Sequence, residues 1–261
     1  MTDGRLAART VLRLHGPDTL GFLQSLLTAN VERLSVGDVT HAALLTPQGK
    51  VSSAFFVWRT EDGVLLDLAP GDEAPLTQRL RLYKLRAAVE IEPADLSVLV
   101  GAAGPDGARR DPRLPALGAR WLARPGERDA PDASAGYHAA RIGHGVPEFG
   151  ADYGPAEVFA MDVNLDALGA VDYKKGCFVG QEVASRMFRK GEVRKRTWIV
   201  EADAPLSIGA AVTAGGSALG TITSVDGLRG LALLRTDRVG AASEPPRAGA
   251  VPVRLSEPAY L

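Results

Sequence analysis

Residues 174–186 of this chain read KKGCFVGQEVASR. The segment holds Cys177, the only cysteine among 261 residues, beside Lys174 and Lys175 and ahead of a helix predicted at 179–190. A thiolate is favoured at such a position, because the lysines and the helix N-terminus supply positive potential. A small buried thiol is the alternative, since free cysteines are usually core residues.

The residues around the cysteine allow both a ligand site and ordinary local structure. Glycines at 176 and 180 predict a backbone with positive φ or a close approach to a bulky group. Gln181 and Glu182 fall in the first helical turn, where an acidic side chain complements the helix dipole. Arg186 follows Glu182 by four residues, which predicts an intrahelical ion pair. Each of these residues is therefore a candidate ligand contact and equally a capping or loop residue.

The first hundred residues predict an α+β unit with a largely antiparallel sheet. Apolar residues repeat at helical spacing after Asp18, and a turn at 46–50 separates two runs of alternating residues. The predicted strands are 6–14, 40–46, 51–59, 64–68, 85–91 and 96–100, with a second helix at 72–84. This order describes a meander of strands packed against two helices.

The rest of the chain predicts two further units. Glycines and prolines interrupt 101–136, which predicts a boundary with one short strand near Trp121. A helix is predicted at 134–142, and short β runs follow from Glu192 onward, as in a small barrel. The sequence therefore predicts an N-terminal α+β domain at 1–104, a middle α/β segment at 105–190 and a C-terminal β-barrel at 191–261.

Composition limits the classes of partner. The net charge is −1, so no overall field favours nucleic acid or an anionic membrane. The basic run at 189–196 lacks interleaved aromatics, and either a solvated connector or a phosphate-gripping surface would explain it. A single cysteine forms no internal disulfide, and no uninterrupted apolar run suggests a signal or a membrane span. We expect a cytoplasmic protein with no membrane partner and no direct nucleic-acid binding.

The sequence offers few candidates for other chemistry. The chain has no glycine-rich nucleotide loop, no nucleophile elbow and no metal-ligand spacing. Its four histidines are scattered, so a Cys–His pair would depend on the fold. One cysteine alone cannot build a four-thiolate cluster site, and Cys177 could be at most one ligand of a shared cluster.

The segment KGCFVGQE at 175–182 resembles the Lys-Gly-Cys-(Tyr/Phe)-x-Gly-Gln-Glu signature of YgfZ-type folate-binding proteins. These are relatives of the glycine-cleavage T-protein, an aminomethyltransferase, and act in iron–sulfur cluster assembly or repair. Residues 22–31, which include Asn30, are similar to the family's opening motif. Residues 45–50 resemble its hairpin, and residues 82–86 resemble its Tyr-x-Leu-Arg. The matches occur in the family's order along nearly the whole chain.

The resemblance implies a T-protein-like fold, with domains around a central folate-sized channel and a C-terminal barrel. It implies tetrahydrofolate or a derivative as cofactor, iron–sulfur client or assembly proteins as partners, and tRNA-modifying enzymes among the clients. Cys177 would be a redox-active thiol or transient cluster ligand activated by Lys175. The residues implied in binding folate are Gly176, Gly180, Gln181, Glu182, Arg186, Asn30, Tyr83 and Arg86.

The resemblance also separates two activities. Aminomethyltransferases carry an acidic pair just after the hairpin glycines to handle the amine of the substrate, whereas this chain has Ser52 and Ser53. Glycine-cleavage aminomethyl transfer is therefore disfavoured. The alternatives to a folate-binding iron–sulfur accessory protein are a one-carbon transferase with another acceptor and a binding module without chemistry.

Overall fold

The computed structural model describes residues 3–124, 126, 130–191 and 193–261. Glu192, in the predicted basic run and at the predicted start of the barrel strands, lies outside the described residues, as do 1, 2, 125 and 127–129 of the predicted domains. The described part of the chain forms two sheets and a closed barrel and contains five α-helices. The α+β class and the C-terminal barrel are confirmed.

The first sheet is antiparallel and has the strand order β3-β4-β5-β2-β6. Its apolar side chains, among them Leu12, Phe55 and Leu66, form the largest core together with two helices. The predicted meander and both helices are confirmed. The elements are β2 (Thr10–His15), α1 (Thr19–Leu26), β3 (Val39–Leu45), β4 (Val51–Arg59), β5 (Gly63–Leu68), α2 (Glu73–Lys84) and β6 (Glu90–Ala94).

The strand predicted at 85–91 is wrong for its first half. Leu85 ends α2 with φ +45°, and the chain turns through 85–89 before it extends at Glu90. The stretch still contributes to the edge of the core, because Val89 is buried although it lies in the turn. A turn and a strand can bury the same residues, so the hydrophobic pattern alone did not separate them.

The second sheet has the order β1-β7-β9-β8 and lies partly in the region predicted as a boundary. The strand near Trp121 is confirmed, but a second strand pairs with it. Its members are β1 (Gly4–Arg5), β7 (Ser97–Gly101), β8 (Arg109–Arg110) and β9 (Ala119–Ala123). The sheet includes strands from both sides of residue 104, and the domain division at that residue stays a prediction.

Helices and short turns connect the second sheet to the barrel. The helices predicted at 134–142 and 179–190 are confirmed as α3 (Ser134–Gly143) and α4 (Gln181–Lys190). Two 3₁₀ turns, Pro115–Leu117 and Ala160–Val163, lie in the same region. In the described ranges, no helix is both long and apolar enough to cross a membrane.

The barrel closes through pairing of its first and last strands, in the order β10-β13-β12-β11-β14-β15. Alternate residues point inward and form a separate core that includes Val200, Ile222 and Leu234. A short helix, α5 (Thr236–Ala241), covers one end. The strands are β10 (Lys195–Ala202), β11 (Ala211–Ala214), β12 (Ser217–Asp226), β13 (Arg229–Arg235), β14 (Arg247–Ala248) and β15 (Val251–Ser256).

Candidate functional site

Lys175 is a buried ammonium that ties the 174–186 segment to the end of α1. Its Nζ lies 2.7 Å from each of the backbone carbonyl oxygens of Gln24, Leu27 and Ala29. These contacts use all three N–H donors of an ammonium group. Burial lowers the pKa of Lys175 to about 8, against the opposing attraction of Asp172. The side chain thus holds two distant parts of the chain together, and no donor is left for the Cys177 thiol.

Cys177 is exposed at the tip of the loop that Lys175 anchors. The next residue, Phe178, is buried in the core of the middle segment. The backbone N–H groups of Lys174 and Lys175 donate to the carboxylate of Asp172, at 2.8 and 3.1 Å, and this fixes the start of the loop. A thiol that is exposed on a loop anchored at both sides can reach a second macromolecule without rearrangement of the fold.

The two glycines beside the cysteine differ. Gly180 has φ +79°, and a Cβ there would lie 2.6 Å from the carbonyl oxygen of Thr46 at the hairpin tip. Gly49 of the same hairpin also has φ +79°, and its Cβ would lie 2.8 Å from Val183 Cβ on α4. The expected constraint is confirmed for Gly180. It is wrong for Gly176, which has open space at its Cβ position and no positive φ.

We expect Gly180→Ala to destabilise the protein by roughly 1–3 kcal/mol, because the substitution combines a left-handed backbone with a clash against backbone. Gly191→Ala is the matched control: its φ is +68°, but no atom lies within 4 Å of the added Cβ. Denaturant unfolding of both variants measures the difference. Equal losses of stability would show that the hairpin does not constrain Gly180.

The polar residues at the start of α4 interact within the helix. Arg186 Nη2 lies 3.0 Å from Glu182 Oε1, and both side chains are exposed, so the predicted ion pair is confirmed. Such a pair contributes a few tenths of a kcal/mol. Gln181 is the first helical residue and is half-buried, directly after the αL residue Gly180.

The three more distant candidates lie in different places. Asn30 Oδ1 accepts a hydrogen bond from Gln24 Nε2 at 3.1 Å, so Asn30 braces the loop that binds Lys175. Tyr83 packs against the core of the first sheet, and Arg86 is exposed after the end of α2. The structure groups Asn30 with Lys175, whereas Tyr83 and Arg86 do not line the cavity described next.

A cavity of about 560 Å³ lies between the hairpin strand β4, the start of α2 and the segment 149–155. Its walls are mostly apolar, including Leu76 and Phe149, with Arg79 as a cationic group. Asp72 also lines it, and its carboxylate accepts a hydrogen bond from the hydroxyl of Ser53. Burial raises the pKa of Asp72 to about 6, although the Ser53 bond and Arg9 oppose the shift.

A smaller cavity of about 220 Å³ shares Pro70, Phe149 and Gly150 with the first. Polar side chains line it, including Tyr137 and Glu148. The two cavities are therefore neighbours, and both are mostly apolar with a few charged side chains in their walls.

A network of buried charges lies behind the smaller cavity. Asp67 is fully buried and pairs with both Arg9 and Arg120, the latter at 2.7 Å. Arg9 also reaches Glu148 at 2.6 Å. Because these residues belong to both sheets and to the segment after α3, the network fixes the relative position of the parts that enclose the cavities. Within the described residues, no group of three or more His, Cys, Asp or Glu side chains could hold a metal ion.

Sequence reasoning missed Asp72 and the charged network. Asp72 follows Pro70-Gly71 directly before a helix, which is the pattern of an ordinary N-cap residue. None of the buried arginines belongs to a short motif, and a charged residue is usually read as exposed. No local signal would have found them.

Comparison with solved structures confirms the fold. The glycine cleavage system aminomethyltransferase T from Bartonella henselae superposes with a TM-score of 0.80, over 100% of this chain and 86% of that one. Sequence identity is only 13%, so the likeness concerns architecture. Residues 194–261 match the family model described as CAF17, C-terminal beta-barrel domain, which coincides with the closed barrel.

The human iron-sulfur cluster assembly factor IBA57, mitochondrial, is 30% identical over 278 residues, which cover 90% of this chain and 78% of that protein. The chain belongs to the IBA57 family. A homologue from Pyricularia oryzae is 31% identical over 73% of this chain, which spans about half (55%) of that longer protein. The names of these relatives agree with the iron–sulfur part of the predicted function, which is taken up for this chain as a proposal below.

Membership in the IBA57 family leaves finer expectations open. The YgfZ type, folate binding, a link to tRNA modification and the cytoplasmic location stay predictions. The IBA57 proteins that match are named as mitochondrial, and that word applies to those proteins.

Proposed function

We propose that this chain supports the assembly or repair of iron–sulfur enzymes by presenting Cys177 to a client or assembly protein while a tetrahydrofolate occupies the cavity. The observation that carries the proposal is an exposed thiol on a loop that a buried lysine anchors, in a member of the IBA57 family. The cluster is cargo, and one thiolate would share it with ligands of a second protein. Clients that modify tRNA belong to the same proposal.

The cavity residues fit a tetrahydrofolate. About 560 Å³ lies within the range of small-molecule sites. The apolar walls at Leu76 and Phe149 suit a ring system, Asp72 accepts N–H groups, and Arg79 suits the carboxylates of a glutamyl tail. When bound, the cofactor would supply a reduced ring able to carry a one-carbon unit.

Calorimetric titration with tetrahydrofolate tests the folate half of this proposal. We expect the wild-type protein to bind one equivalent, and Gln78→Trp to abolish binding because the new side chain fills the cavity mouth. Ala74→Trp is the matched control, since it places the same side chain on an exposed position of α2 outside the cavity lining. Absence of binding by the wild type, or equal binding by Gln78→Trp, would contradict the assignment of this cavity.

A further inference from the structure

Asp72 is an N-cap residue that does not cap its helix. An aspartate at this position normally accepts hydrogen bonds from N–H groups of the first helical turn. In this structure Asp72 precedes α2 without such a bond, and its Oδ2 accepts the Ser53 hydroxyl from the neighbouring strand β4. Its carboxylate is therefore oriented toward the cavity wall at a cost in helix capping, which indicates a use other than local structure.

The hydrogen-bond partner of Asp72 is Ser53, which lies in the cavity wall. Ser53 lies on β4, directly after the 46–50 hairpin, and lines the cavity together with Asp72. Its hydroxyl donates to a carboxylate 19 residues further along the chain. The hairpin strand and the segment before α2 thus place a hydroxyl and a carboxylate side by side in the cavity wall.

The surroundings leave this carboxylate available to a ligand. Asp72 Oδ2 accepts the hydrogen bond from the Ser53 hydroxyl. Asp72 Oδ1 accepts no hydrogen bond from the described residues. Arg9 attracts the carboxylate through space without a hydrogen bond to it, and Arg79 of α2 lines the same cavity. The segment 149–155 contributes only uncharged groups to the lining.

We propose that Asp72, oriented by Ser53, is the acceptor that binds the N–H groups of an amino-substituted, reduced pterin ring in the cavity. A carboxylate suits such a ring because the ring presents adjacent N–H donors, and charge-assisted hydrogen bonds are about twice as strong as neutral ones. This assignment rests on the proposed folate binding and names the group that recognises the ring. Ser53 is a positioning residue that holds the carboxylate toward the ligand.

The assignment has a pH signature. Because burial raises the pKa of Asp72 to about 6, the carboxyl group takes up a proton as the pH falls through that value. Its charge is then lost, so the affinity for an N–H donor should be constant above pH 7. Below about pH 6 the dissociation constant should rise as the pH falls and level off near that of Asp72→Asn, whose side chain is uncharged at every pH.

Tetrahydrofolate titrations between pH 5.5 and 8 test the assignment. We expect Asp72→Asn to weaken binding by at least about tenfold at pH 7.5, the loss of one charge-assisted bond, and to remove the pH dependence. The double variant Ser53→Asp with Asp72→Ser should restore both, because it exchanges the hydroxyl and the carboxylate of the same hydrogen-bonded pair. Glu73→Gln is the matched control, since it removes one negative charge from the same helical turn outside the cavity lining.

The outcomes separate the two proposals. If the wild type binds and Asp72→Asn binds equally well with the same pH profile, the role of Asp72 is refuted while folate binding stands. If the wild type does not bind, folate binding and the assignment of Asp72 both fail. Far-UV circular dichroism of each variant shows whether a lost affinity reflects a lost fold.

Discussion

Cys177→Ser should reduce the activity of iron–sulfur enzymes to the level of cells that lack the protein, although the variant folds normally. Cys177 is the only cysteine in the chain, so no other thiolate can replace it. Its side chain is exposed, and surface substitutions usually change the free energy of unfolding by less than about 0.5 kcal/mol. The function should therefore be lost without a loss of stability.

The measurement compares the activities of iron–sulfur enzymes and of a cluster-free enzyme in cells that express each variant. Ser207→Ala, an exposed small polar residue on the barrel, is the control and should support normal activities. Denaturant unfolding of the purified proteins gives the stability. Full support by Cys177→Ser would refute the role of the thiol and favour a binding module without chemistry.

Lys175→Met should lower the free energy of unfolding by about 3 kcal/mol. The substitution leaves three backbone carbonyls, those of Gln24, Leu27 and Ala29, without their donor. Three hydrogen bonds to a charged group, at roughly 1.5–3 kcal/mol each, would give a larger loss. The desolvation that lowers the pKa of Lys175 to about 8 offsets part of it.

Lys174→Met is the control for this prediction, because Lys174 is the exposed neighbour in the same loop. Its stability should stay within about 0.5 kcal/mol of wild type. A second readout is the rate at which a disulfide reagent modifies Cys177. If Lys175→Met leaves stability unchanged but slows this reaction, Lys175 acts on the thiol and the anchoring role is wrong.

The pKa of Lys175 also predicts a pH dependence of stability. The group binds its proton less tightly when folded, since its pKa falls from 10.5 to about 8. Between these values the unfolded chain carries more protons, so stability should rise with pH across this window. The slope should be absent in Lys175→Met.

Much of the fold followed from local patterns. The hairpin at 46–50, the helices at 134–142 and 179–190 and the short strands of the barrel each carry their own turn residues and hydrophobic period. These signals involve only a few neighbouring residues, so they can be recognised without knowledge of the tertiary structure. The strand prediction at 85–91 was wrong because Leu85, which is exposed and has a positive φ, ends the helix. Leucine is not a residue type that predicts a positive φ.

The sequence by itself determined the 174–186 segment, its single thiol and the positions of most strands along the chain, because these are properties of neighbouring residues. Only the tertiary structure decided what the charged groups do. Lys175 meets the carbonyl of Gln24 across 151 positions, and Asp72 meets Ser53 across 19. A buried polar group takes whichever partner the packing of distant segments brings within about 3 Å, and its own neighbours in the chain do not encode that partner.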